Sequence, residues 1–71
     1  MAKARYRVGD RIVTQLYGAG RVLTYYRDRN IGWVYHIRLD HLDRDWKREI
    51  QLVEEAMKPE PAVVQLARLA R

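Results

Sequence analysis

The chain has 71 residues, a net charge of +5 and no cysteine. It is long enough for one small domain, and its hydrophobic fraction of 48% is typical of a folded protein. Without cysteine, a disulfide-stapled module and a thiolate metal site are excluded. With neither an apolar run of about 20 residues nor a signal-peptide core near the N-terminus, we expect a cytoplasmic protein.

The N-terminal third predicts a short arm, a turn and a first strand. We expect residues 1–5 to form a flexible arm. Gly9 and Asp10 both favour turn conformations, and residues 10–14 then predict a strand. Residues 16–20 predict a second turn, in which Gly18 and Gly20 supply a positive φ or allow a close backbone approach.

Two further strands and a hairpin follow. Residues 21–26 are rich in β-branched and aromatic side chains, which favour a strand. Residues 27–32, which end at Gly32, predict the hairpin loop. Residues 33–39 alternate clearly. We expect the core to receive Trp33, Tyr35, Ile37 and Leu39, and the opposite face to carry Val34, His36 and Arg38.

The C-terminal third predicts a strand and two helical pieces. We expect a fourth strand over residues 46–52 and a helical turn over residues 53–57. Pro59 and Pro61 end what precedes them. Residues 62–71 have helical apolar spacing, and Pro61 suits the first turn of that helix.

The short strands and tight turns predict an all-β fold. It would be a small five-stranded SH3-like (Tudor-like) barrel with a short C-terminal helix. The barrel would occupy residues 6–58, and a proline-bounded helical tail residues 59–71. A helical bundle is the rival fold, but the glycine spacing and the alternation of residues 33–39 count against it.

Two motifs near the N-terminus resemble a known group of Tudor-like modules. They are Val8-Gly9-Asp10 within residues 6–13, and Tyr17-Gly18-Ala19-Gly20 followed by a Val-containing strand. The group includes the RNA-polymerase-interacting domain of CarD-like regulators and of the transcription-repair coupling factor. It also includes the C-terminal module of UvrD-type helicases. The resemblance covers roughly residues 5–57 and rests mainly on turn positions, so it carries the fold better than the function.

What the resemblance implies is a protein–protein adaptor in transcription or DNA repair. Such modules often dock on RNA polymerase through an exposed barrel edge. The ten residues after Pro61 do not accommodate the helical DNA-binding domain of CarD-like proteins, nor is there a helicase motor. We therefore expect a free-standing module or a subunit, of unspecified oligomeric state, with a protein partner.

Direct binding of DNA or RNA is the second hypothesis. Seven basic residues lie between Lys3 and Arg29, opposed only by Asp10 and Asp28. Arginine contacts phosphates, and tyrosine stacks on unpaired bases. The candidate binding residues, for a partner or for nucleic acid, are Arg21, Tyr25, Tyr26, Arg27, Arg29 and Arg38. A solvated hairpin tip is the competing interpretation.

Other site types have weaker support. A cage for a methylated side chain would draw on Tyr17, Tyr25, Tyr26, Trp33 and Trp46, but core packing competes for these rings. His36 and His41 lack a common metal-ligand spacing. The acidic residues between positions 40 and 49 are interleaved with cations. We therefore expect no metal, no cofactor and no enzymatic activity; an oligomeric small enzyme is the third hypothesis.

Overall fold

A computed structural model of the chain describes residues 3–42 and 45–69. Its elements are β1 (Arg11–Thr14), β2 (Gly18–Asp28), β3 (Gly32–Leu39), β4 (Glu49–Val53), a 3-10 turn (Glu54–Ala56), β5 (Met57–Pro59) and α1 (Ala62–Leu69). The strands form one antiparallel sheet in the order β4-β3-β2-β1-β5. The expected fold class is confirmed: a small all-β fold with five strands and a short C-terminal helix.

The connection between the two outer strands curls the sheet. In a flat sheet, β4 and β5 would lie four strand spacings apart, about 19 Å. Only the three residues Glu54–Ala56 join them, and a 3-10 turn rises about 2 Å per residue. This turn cannot span a flat sheet, so the sheet must curve until its outer strands approach each other. The curved sheet encloses the core on its concave side.

The core is formed by side chains from four strands and from the segment before β1. Its buried members are Tyr6, Ile12, Val22, Tyr35, Ile37, Leu39 and Met57. Three of the four core residues predicted in β3 are thus confirmed. The fourth, Trp33, is only partly buried at the margin of this cluster. Val34 is buried although it lies on the opposite face, where Tyr26 and Val53 are its neighbours in register.

A β-bulge in β2 decides which of its side chains reach the core. Val22 pairs with Ile37 and Thr24 with His36, so Leu23 is an extra residue. A bulge of this kind reverses the alternation of the residues that follow it. Tyr25 therefore faces the inside of the curved sheet, opposite Tyr35, and Tyr26 faces outward.

The turn predicted over residues 16–20 lies earlier than expected, because residues 18–20 already open β2 and only residues 16 and 17 of that range belong to the turn. The turn occupies residues 15–17. The Thr14 hydroxyl holds this turn, since it donates to the Gly18 carbonyl and accepts from the Tyr17 N–H, both at 2.8 Å. Gly18 has a φ of 80°, which lets the chain leave the turn and enter the strand.

The other two predicted turns are present. Gly9 has a φ of 93°, and the Asp10 carboxylate accepts the Arg7 N–H at 2.9 Å. The hairpin between β2 and β3 is shorter than expected, because only residues 29–31 lie outside the strands. Gly32 there has a φ of 86°.

The C-terminal third departs from prediction in its strand boundaries. β4 begins at Glu49, not at Trp46, because Trp46 has a φ of 61°, which is incompatible with a strand. The predicted helical turn is the 3-10 turn. The short strand β5 was not located by the sequence, and it extends the sheet to Pro59, one residue past the expected barrel boundary.

Helix α1 begins where the sequence predicts. The carbonyl of Pro61 accepts the N–H groups of Val64 and Gln65, at 3.0 and 3.2 Å. The Gln65 side chain donates to the Glu60 carbonyl at 2.9 Å, which ties the helix to the end of β5. Val63 and Leu66 remain exposed. The helix is described to Leu69; residues 70 and 71 of the predicted helix lie outside the described residues.

The segment before β1 contacts the curved sheet. Residues 1 and 2 of the predicted arm lie outside the described residues. Ala4 packs against the core, and the Arg5 N–H donates to Glu54 at 2.9 Å. The Tyr6 hydroxyl donates to the Met57 carbonyl at 3.2 Å. The segment therefore packs across the open end of the curved sheet.

A buried tyrosine ties the core to the corner between β4 and β5. The Tyr35 hydroxyl donates to Glu54 at 2.6 Å and accepts the Tyr6 N–H at 3.3 Å. Burial raises the pKa of Tyr35 to about 12, and its bond to the Glu54 carboxylate acts in the same direction. Burial alone would raise the pKa of Glu54, but the hydrogen bonds from Tyr35 and from the Arg5 N–H outweigh it and lower that pKa.

Replacing Tyr35 with Phe removes this hydroxyl. We expect Y35F to lower the free energy of unfolding at pH 7 by about 1–3 kcal/mol, since buried partners lose a hydrogen bond. The folded pKa of Tyr35 lies above its ordinary value of 10.0. Its contribution is therefore present below pH 10 and is lost as the pH rises toward 12.

Urea unfolding followed by circular dichroism at pH 7 and pH 11 measures this effect. The difference between wild type and Y35F should shrink at pH 11. Tyr17→Phe, which alters a more exposed hydroxyl, should change stability little at either pH. A Y35F difference that is the same at both pH values would contradict the assignment.

Gly20 is required by a close backbone approach. A Cβ at this position would lie 2.7 Å from the Arg38 carbonyl oxygen and 2.8 Å from Ile37 Cγ2. We expect Gly20→Ala to lower the free energy of unfolding by about 2 kcal/mol or more. At Gly18 no atom lies within 4 Å of the added Cβ, so Gly18→Ala should cost only the left-handed strain, about 1 kcal/mol. Equal losses in urea unfolding would rule out the steric explanation.

Candidate functional site

Strand β4 forms an open edge of the sheet. The Leu39 N–H donates to the Arg48 carbonyl at 2.7 Å. In an antiparallel ladder, hydrogen-bonded and non-hydrogen-bonded pairs alternate. From the register of β3 and β4, Ile50 and Leu52 therefore bond to β3. The backbone N–H and C=O groups of Glu49 and Gln51 point away from the sheet, and in the described part of the chain no strand pairs with that side.

The opposite edge, β5, is blocked. It has only three residues, and Pro59 has no N–H to offer. In the ladder between β1 and β5, the Glu60 N–H donates to the Arg11 carbonyl. Because hydrogen-bonded and non-hydrogen-bonded pairs alternate, the Met57 carbonyl points away from β1. The Tyr6 hydroxyl already donates to that carbonyl. The two edges thus differ: β4 is accessible to an additional strand, whereas β5 is not.

The convex face of β2, β3 and β4 carries three rows of side chains in register. The rows are Arg21–Arg38–Glu49, Thr24–His36–Gln51 and Tyr26–Val34–Val53. Arg21 and Arg38 are both exposed and stand directly opposite each other. Tyr26 is 48% exposed. One end of this face is therefore cationic, and the other carries an accessible aromatic ring.

The six predicted binding residues do not share one surface. Arg21, Tyr26 and Arg38 lie on the convex face. Tyr25 and Arg27 lie on the concave side, where Tyr25 contacts Trp33 with ring centroids 5.6 Å apart. The bulge at Leu23 is the cause of this separation, since it turns neighbouring side chains to opposite sides.

The remaining residue, Arg29, is exposed at the hairpin tip. The tip is held in shape by Asp28, whose carboxylate accepts the N–H groups of Asn30 and Ile31 at 2.8 and 3.1 Å. Arg29 therefore projects from an ordered turn, beyond the ends of both faces.

An ion cluster beside the Arg21–Arg38 end of the convex face was missed by sequence reasoning. Arg11 bonds both carboxylate oxygens of Asp40 and also reaches Glu60, at 3.2 Å. The Glu60 side chain is fully buried. The bond to Asp40 raises the pKa of Arg11 further above its ordinary value, against the opposing effect of burial. Asp40, the acidic residue directly after β3, was the sequence feature that could have indicated the cluster. Its partner Arg11 is 29 residues away in the chain.

The aromatic residues do not assemble into a cage. Tyr25 and Trp33 contact each other, and Tyr25 also contacts the buried Tyr35 at 5.7 Å. Tyr26 points to the opposite face, Tyr17 lies in the β1–β2 turn, and no ring contact joins either to this group within the described ranges. Trp46 is 81% exposed in the loop before β4.

The histidines and acidic residues do not gather into a metal site in the described part of the chain. His36 Nε2 lies 3.0 Å from the Glu49 carboxylate across β3 and β4, and His41 is exposed. Within residues 3–42 and 45–69, no three His, Asp or Glu side chains are grouped as a metal site would need. Asp43 lies outside the described residues.

A comparison of the chain with protein-family models, with curated proteins and with solved structures finds no match. Among the residues that the structure describes, no helix has the length and apolar character needed to cross a membrane.

The positions of the two tryptophans give a direct test of the loop before β4. Trp46 is exposed with a positive φ, so Trp46→Gly should leave the free energy of unfolding within about 0.5 kcal/mol of wild type, because relief of strain offsets the added chain entropy. Trp33→Ala removes a ring packed on Tyr25 and should cost about 2 kcal/mol. Urea unfolding compares them; a larger loss for W46G would contradict its placement.

Proposed function

We propose that this chain is a small binding adaptor that accepts a strand of a protein partner along the open edge of β4. The observation that carries the proposal is the difference between the two sheet edges. An added strand gains main-chain hydrogen bonds to an exposed edge, and only β4 combines outward backbone groups with a proline-free strand.

The surroundings of β4 favour a specific partner strand. Ile50 and Leu52 face the concave side and are partly buried, while Glu49 and Gln51 are exposed on the convex face. Proteins commonly protect their edges with short strands, prolines or bulges. β5 carries two such features and β4 none, so an edge left open in this way is a reasonable docking strand.

The host process is inferred from the sequence resemblance alone. Val8-Gly9-Asp10 and Tyr17-Gly18-Ala19-Gly20 resemble modules that dock on RNA polymerase. We therefore propose a role in transcription or DNA repair, with RNA polymerase, or a related machine acting on nucleic acid, as the partner.

Proline substitution at Gln51 tests the edge. The Gln51 N–H points away from β3, so Gln51→Pro removes a docking donor without removing a ladder bond. Gln51→Ala is the matched control, because it loses the same side chain and keeps the N–H. In biolayer interferometry with purified RNA polymerase, wild type and Q51A should bind, and Q51P should bind at least tenfold more weakly.

The two possible negative results test different parts of the proposal, the docking strand and the identity of the partner. Equal binding by Q51P and Q51A, with both folded by circular dichroism, would reject the β4 edge as the docking strand. Absence of binding by the wild type would reject RNA polymerase as the partner.

A further inference from the structure

The pair Arg21 and Arg38 is a local concentration of positive charge that has no ion-pair partner among the described residues. The two residues are directly opposed across β2 and β3, an arrangement that destabilises a sheet when the charges are alike. Neither guanidinium forms an ion pair with any other described residue. A pair of this kind is suited to an anionic ligand.

The neighbouring acidic groups are engaged elsewhere. On one side, Asp40 and Glu60 both bind Arg11. On the other side, Glu49 is the register partner of Arg38, but its carboxylate contacts His36 at 3.0 Å. The two guanidinium groups therefore remain available to an anion approaching from solvent.

The same face offers an aromatic surface along the strand. Thr24 follows Arg21 on the convex side after the bulge, and Tyr26 follows Thr24. With about 3.3 Å per residue in a strand, Thr24 and Tyr26 lie about 7 Å apart. Tyr26 is 48% exposed, and its hydroxyl lies 3.5 Å from the Gln51 side chain.

We propose that the convex face of the β2–β3 hairpin binds single-stranded nucleic acid, with Arg21 and Arg38 on a backbone phosphate and Tyr26 stacked on a base. Charge complementarity supports this occupant, since the chain carries a net charge of +5 and phosphate contacts depend on arginine. A basic surface combined with an exposed ring is the usual means of holding unpaired nucleotides. The site is distinct from the backbone edge of β4.

Fluorescence anisotropy with labelled single-stranded dT and rU oligonucleotides tests this proposal. Wild type should bind at low salt, and its affinity should fall with salt, by about 0.7 in the log–log slope for each phosphate contacted. Arg21→Glu combined with Arg38→Glu should weaken binding at least tenfold. Lys3→Glu combined with Lys58→Glu changes the net charge equally at residues outside the hairpin, and should weaken binding much less.

A second pair of variants tests the contribution of the Tyr26 ring to binding. Tyr26→Ala should weaken binding about fivefold or more, as expected for loss of one stacked base. Tyr17→Ala removes an exposed ring in the β1–β2 turn and should leave affinity unchanged. NMR spectra of each variant verify that the fold is kept.

Three results would overturn the proposal. The first is that the wild type does not bind the oligonucleotides at low salt. The second is that the two charge-reversal variants lose affinity equally. The third is that Tyr26→Ala keeps full affinity for the oligonucleotides while a polyglutamate peptide binds the wild type as well as they do. The last result would indicate an acidic peptide as the ligand. Because the Q51P test measures a protein partner, failure of one proposal is distinguishable from failure of the other.

Discussion

The three-residue connection between β4 and β5 is the constraint on which the rest of the structure depends. Because it joins the two outer strands of a five-stranded sheet, it forces the sheet to curve and so creates an interior. The hydrogen bonds of Tyr35 and Arg5 to Glu54 hold this corner against the core and the N-terminal segment. A domain this small has limited apolar burial, which gives the part-buried bond between Tyr35 and Glu54 added weight.

The two edges of the curved sheet are unequal. The N-terminal segment crosses the open end of the curved sheet, where Tyr6 bonds the Met57 carbonyl on β5. β4 has no such cover among the described residues. The proposed docking of a partner strand needs one accessible edge, and an edge that is too accessible invites aggregation. Because β5 is closed, the exposed edge is confined to the five residues of β4.

The bulge at Leu23 determines how the basic and aromatic residues are distributed. By reversing the alternation, it places Tyr25 among the core rings and leaves Tyr26 on the convex face. Arg21 precedes the bulge and stays on that face with Arg38. The protein therefore has an open backbone edge and, beside it, a convex face with two cations and one ring, which are the two surfaces on which the proposals rest.

The sequence by itself determined the local features. Alternation in residues 33–39 identified Tyr35, Ile37 and Leu39 as core, and Gly9 and Gly32 marked two turns, because these signals depend on neighbouring residues alone. Tertiary structure decided the rest. Strand β5 is too short to be recognised without its pairing to β1, and the bulge at Leu23 exists only in register with β3. The Arg11–Asp40–Glu60 cluster and the inequality of the edges likewise require residues far apart in the chain to meet, which no local pattern specifies.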